Sequence, residues 1–393
     1  MSYKIYNNNS TFYIRKVNEE FFLNNSDIIT PTPSVTPTKT ITSTPTASTT
    51  VTSTPTSTVT RTVTSTSTPT PTQTSNPLPG PTPTPTSTVT RTVTSTSTPT
   101  PTVTPSVSSI IFRTSNTANY NNCANWDSLS GNVTSVGSNG NQSTYGTYDM
   151  NGNAWEWTER LWNAGARGVK GGSWSSVDNR LLRTFEGIQQ PTTTINQIGF
   201  RVASSLSSPM FSYVTISDIN NSNDDSGIGS VSYQFTLNKF LITNNEYAEF
   251  LNSIASTDLY GVYSTNMSSD RGGINRSGTN EAYTYSVKPN YGNKPVVFIN
   301  WYNAARYCNW LHNGRPSGSQ NNSTTENGSY QLTGNTNSPT RQIGALYFIP
   351  NGDEWQKAAF YKGGSTNAGY WNYSTQNNTV PSCVSSDSVG NGI

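Results

Sequence analysis

Apolar and polar residues follow two different periods along this chain, and over one long stretch they follow none. Trp155 and Trp157 flank Glu156, so an extended strand there sets both indoles on one face and the carboxylate on the other. Asn151 and Gly152 just before it form a tight-turn signal. Gly171 and Gly172 let backbone approach closely, and Trp174 supplies a large apolar anchor. Residues 147–200 therefore predict a turn-rich antiparallel β unit. Farther along, Phe211–Ile216, Val231–Ile242 and Lys294–Asn300 read as strands. Between them the period becomes helical: Thr243 and Glu246 form a capping box, and Tyr247, Phe250, Leu251 and Ile254 share one face. Asn300 caps a further helix with Trp301, Ala305, Cys308 and Leu311 inward, ended by Asn313 and Gly314.

No such pattern exists between residues 30 and 114, which are almost wholly Thr, Ser, Pro and Val. The segment Thr54–Thr72 (TPTSTVTRTVTSTSTPTPT) recurs unchanged at Thr84–Thr102, a 30-residue period. Such a stretch buries too little apolar surface to offset its ordering entropy. Frequent proline favours polyproline-II geometry, so residues 30–114 predict a disordered, semi-stiff stalk. The Thr-Val alternation around Arg61 and Arg91 is also compatible with strands in an assembly. Residues 1–29, with Phe12, Tyr13, Ile14, Phe21 and Phe22, are too few to bury a core alone. They suit an attachment segment for self-assembly or a disordered leader.

Composition narrows the function classes. Of 393 residues, 31% are hydrophobic and 11% charged, and the net charge of +2 gives no electrostatic case for nucleic acid. No run has the length of a membrane span, and the N-terminus lacks the apolar core of a secretory signal. Three cysteines, Cys123, Cys308 and Cys383, cannot all pair internally and lack metal-ligand spacing.

Three short motifs carry a resemblance. Tyr148–Trp157 (YDMNGNAWEW), Arg167–Trp174 (RGVKGGSW) and Ile198–Ala203 (IGFRVA) occur in that order. Together they resemble the C-terminal half of the formylglycine-generating-enzyme, or sulfatase-modifying-factor, domain, a variant of the C-type lectin fold. Residues 347–359 (YFIPNGDEWQKAA) resemble a helix start in the N-terminal half of that family, with Asn351 as cap, Glu354 as third helical residue and Gly363 as stop. In the family that half comes first; here it comes second. Family sequence like Tyr370–Pro381 runs on into something like Asn116–Tyr120, and this chain ends near where that join falls. The resemblance thus implies an α+β, circularly permuted domain: residues 211–393 as the first half, 115–204 as the second, 205–210 as the joint. A slice through a tandem array, with each half belonging to a different copy, accounts for the same order.

The resemblance also bears on chemistry. The family's copper-binding cysteines fall at Ser176 and Leu181, where serine is a poor Cu(I) ligand and leucine none. Iron-dependent relatives need several histidines; this chain has only His312, placed to cap a helix. Neither copper nor iron is expected, and the chain is not expected to be an enzyme. The family's calcium turn maps onto Asp149, Gly152, Ala154 and Glu156, oxygen donors suited to a structural Ca²⁺. A polar turn followed by a strand with one exposed glutamate explains those residues equally well. Binding remains. Trp162, Asn163 and Arg167, with Asp178, Asn179, Arg180 and Arg183, stand outside the core pattern and suit a glycan or protein ligand, although an ordinary solvated loop has this composition too. The expectation is a non-catalytic binding or display module on a stalk, on a virion fibre or extracellular surface, without membrane insertion. The alternatives are an enzyme of the same superfamily with other chemistry and a purely structural assembly protein.

Overall fold

The computed structural model describes residues 3–8, 11–16 and 19–23 by their backbone, and residues 115–207, 212–333 and 338–393. The chain divides into two units, residues 1–97 and 98–393. In the first, strands β1 (Tyr3–Asn8), β2 (Thr11–Lys16) and β3 (Glu19–Leu23) make an antiparallel sheet in sequence order. The stalk expected over residues 30–114 lies outside the described residues.

The second unit begins with β4 (Thr117–Ala118), β5 (Trp155–Leu161), β6 (Arg167–Lys170), β7 (Gly187–Gln189), β8 (Ile198–Gly199) and β9 (Ala203–Ser204). After the joint come β10 (Tyr213–Ile216), β11 (Phe235–Asn238), α1 (Asn244–Ile254), β12 (Ile274–Ser277) and β13 (Thr284–Val287). The chain closes with α2 (Trp301–His312), β14 (Tyr347–Phe348), α3 (Gly352–Phe360) and β15 (Ser382–Cys383). One four-stranded sheet has the order β7-β6-β5-β8, and another the order β10-β11-β9-β14. In the second, β9 from the earlier piece of sequence lies antiparallel between β11 and β14 from the later piece. One hydrophobic core takes Trp157, Phe200 and Val202 from one piece and Tyr247, Tyr307 and Trp355 from the other. The two pieces are halves of one body.

Their far ends also meet. Thr117 and Ala118 pair in parallel with Ser382 and Cys383, and Cys123 is disulfide-bonded to Cys383. The Tyr120 hydroxyl donates to the Pro381 carbonyl at 2.7 Å. The segments 370–381 and 116–120, which the family pattern runs together, are therefore neighbours here.

The helices start where their caps predict. Thr243 and Asn351 each complete a capping box, with Glu246 and Glu354, and the Asn300 side chain accepts from the Asn303 amide. The predicted apolar faces of α1 and α2 are buried. Strand limits were harder to read. Val231–Ile242 contracts to β11, and Lys294–Asn300 is not a strand. Phe298 has φ +63, which breaks the extended path, although the Val296 and Phe298 amides still donate to Ile242 and Ile195. Gly152 (φ +76) holds the turn before β5 where a Cβ would lie 2.2 Å from the Asn119 carbonyl oxygen, so only glycine fits.

Candidate functional site

The end of β5, the start of β6 and the N-terminus of α3 enclose a cavity of about 340 Å³ with the loop at Pro339–Arg341. β5 brings Glu159 and Arg160 to it, β6 brings Arg167, and α3 brings Asn351 and Asp353. Arg341 bridges two carboxylates: its Nη2 lies 2.6 Å from Glu159 Oε2 and 2.7 Å from Glu354 Oε2. The Tyr330 hydroxyl also donates to Glu159, and Tyr233 to Glu354. Burial raises the Glu159 pKa against the opposing pull of Arg341. Burial works against the charge on Arg341 as well, but Glu354 and Glu159 outweigh it and raise its pKa.

Arg167 has no carboxylate at ion-pair distance among the described residues. Its guanidinium donates to the Glu159 and Pro339 carbonyls at 2.7 and 2.6 Å and lies 3.9 Å from the Trp301 ring centre. Burial lowers its pKa, and Glu159 opposes the shift. Behind this wall Lys170 is buried, with one hydrogen bond at 3.4 Å to the Arg183 carbonyl; burial takes its pKa down to about 8.

The seven residues expected to face a ligand fall into three places. Trp162, Asn163 and Arg167 sit at the β5–β6 turn, where Arg160 stacks over Trp162 and Asn163 is exposed. Asp178, Asn179 and Arg180 form an exposed 3-10 turn, with Arg180 over the Phe185 ring. Arg183 is tied down, by Asp224 at 3.2 Å, Asp225 at 2.5 Å and the Asn372 side chain. It joins the two halves of the domain and is not free for a ligand. Sequence reasoning missed Glu159, Tyr330 and Arg341. Arg341 sits in a loop with no periodic signal, and the capping role read for Glu354 holds but accounts for only part of its bonding.

The calcium positions take a different form from the one expected. Glu156 is fully buried and not an exposed strand residue. Its two oxygens accept from Arg201 at 3.1 and 2.9 Å, and Oε2 also accepts from Trp355 Nε1 at 2.8 Å. Asp149 accepts from the Gly137 amide and the Asn139 side chain, and burial raises its pKa to about 6. Ala154 is wholly buried, and the Gly152 amide donates to the Gly171 carbonyl. With Glu156 already neutralised by a guanidinium, these four residues do not fit a Ca²⁺ ion, whose ligands need free lone pairs and net negative charge. Among the described residues no group of three or more His, Cys, Asp and Glu is placed to hold a metal.

The copper positions are equally occupied by structure. Leu181 is buried with Ala118, Tyr120 and Tyr373, and the Ser176 hydroxyl accepts from the Ser173 amide at 2.9 Å. Cys308, the free cysteine, is buried in α2, and burial pushes its thiol well above the usual range. His312 does not cap carbonyls; its Nδ1 accepts from the Leu346 amide at 3.1 Å, because the loop before β14 passes the end of α2.

No curated protein and no solved structure matches the chain. A family model does, that of the sulfatase-modifying factor enzyme 1-like domain, in two segments, residues 111–206 and 229–385. These segments are the two pieces that share the core, and on that match the chain belongs to the FGE-sulfatase family.

Proposed function

We propose that the protein is a non-catalytic binding or display module: a C-type lectin-like variant of the family fold, circularly permuted, carried on a Thr/Pro stalk. The observation that carries the non-catalytic reading is Leu181. It occupies the second copper position as a fully buried apolar side chain, and no thiolate can form there. The first position is a serine, and the cysteines that remain are a disulfide pair and the buried Cys308. The permutation is supported by the parallel pairing of β4 with β15 and by β9 between strands of the other piece.

Binding is supported by the Arg167 cavity, by exposed Asn163 and by the exposed turn at 178–180, irregular loops held on a rigid scaffold. A glycan or protein at a host or cell surface is the ligand class, and a virion fibre or surface appendage is the setting. Two measurements test this. A sulfatase-type cysteine peptide incubated with the protein and copper should show no formylglycine; conversion contradicts the reading. Binding to a glycan array or to host cells should be lost when Trp162 and Arg180 are changed to Ala. A folded double variant that binds as before sinks the proposed surface.

A further inference from the structure

A second cavity, of about 380 Å³, lies beside the N-terminus of α2, against the loop at Tyr260. It shares no lining residue with the Arg167 cavity, and its chemistry is different. Its single charged lining residue among those described is Arg306. Glu326 holds that guanidinium at two points, Nε to Oε1 at 2.8 Å and Nη2 to Oε2 at 3.0 Å. The cavity thus presents no uncompensated charge. The rest of the wall is amide, hydroxyl and ring: Asn300, Asn303, Thr192, Tyr260 and Tyr302, with Leu332.

The rim is built to hold its shape. Tyr260 is 39% exposed, and the Arg306 guanidinium lies 4.9 Å from its ring centre. The Tyr260 amide donates to Gln320 Oε1 at 3.0 Å, and Asn303 Nδ2 donates to the Gly261 carbonyl at 2.9 Å, so the loop is fixed to the helix. Asn300 uses its Oδ1 on the helix cap, and among the described residues its amide N–H groups are left for another acceptor.

We propose that this cavity is a subsite for a neutral saccharide. A sugar ring offers an apolar C–H face to an aromatic platform and a rim of hydroxyls to amide and hydroxyl groups. An anionic or cationic ligand gains no net attraction where the one charge is already paired. A wholly apolar ligand would strip water from Asn300 and Thr192 without replacing their hydrogen bonds. The site stands on residues other than the loop surface proposed above, so either can fail alone.

The test is titration of the full-length protein with maltose, cellobiose, lactose and N,N′-diacetylchitobiose, followed by calorimetry. At least one should bind with an affinity that changes little with salt. Tyr260→Ala should weaken it by ~10-fold or more, and Tyr260→Trp should retain it, because the platform and not the hydroxyl is needed. Equal melting temperatures of the variants exclude unfolding as the cause. No binding of any of the four up to about 10 mM overturns the proposal. So does saccharide binding that survives Tyr260→Ala, or that is lost instead on Trp162→Ala with Arg180→Ala.

Discussion

Trp355 Nε1 donates to Glu156 Oε2 at 2.8 Å across 199 residues of sequence. The bond joins α3 of the later piece to β5 of the earlier one, at a carboxylate that also receives Arg201. Arg201 also donates to the Asn238 and Tyr148 carbonyls at 2.9 and 2.7 Å. An ion pair with both partners buried is costly to assemble and costlier to leave half-made. The Trp-Glu-Trp and Gly-Phe-Arg motifs are thereby explained as parts of one buried junction.

Arg201→Met should therefore destabilise the domain by about 3–5 kcal/mol, because it strands Glu156 without its counter-charge. Urea unfolding measures this. A loss below about 1 kcal/mol, the range of exposed pairs, would show that the junction is solvated.

The Cys123–Cys383 bridge fastens the far ends of the two halves. Cys383→Ser, or reduction, should lower stability by about 2–4 kcal/mol in chemical unfolding. Identical unfolding curves under oxidising and reducing conditions would contradict the bridge.

Lys170 sets a pH dependence. Its pKa in the folded protein is about 8, against an ordinary value of 10.5, through burial. Between those values the unfolded chain holds the proton and the folded one releases it, so stability rises with pH across that window. Below it both states are charged and the burial cost stands in full. Lys294 and Lys357, also held near 8 by burial, add slopes of their own. The expected result is a shallower rise for Lys170→Met than for the unchanged protein; parallel curves would refute it.

Chelation bears on Asp149 and Glu156. Because Arg201 already neutralises Glu156, removing calcium with a chelator should leave the melting temperature unchanged. A drop that added calcium reverses would show an ion at these residues.

Much of this was legible because it was local. Caps at Thr243, Asn300 and Asn351 placed the helices, and the short motifs placed the family. The burial of Glu156 was not legible, since strand alternation says which face a side chain takes but not whether that face is covered. Its cover is Arg201 and Trp355, distant in sequence. The Arg167 cavity was half legible for the same reason: its residues come from two pieces, and although Arg167, Asn351 and Asp353 lie in motifs, Glu159, Arg160 and the loop at Pro339–Arg341 do not. Lys294–Asn300 misled because a buried apolar run can thread a core without pairing.

The central claim is that residues 115–207 and 212–393 complete one domain within one molecule. A protease site placed in the joint between Ser207 and Ser212 of the full-length chain tests it, with the disulfide reduced after cutting. The two fragments should stay together as a one-to-one complex through size exclusion and melt in one cooperative transition. Fragments that separate, or that pair only with fragments of other molecules, would contradict it.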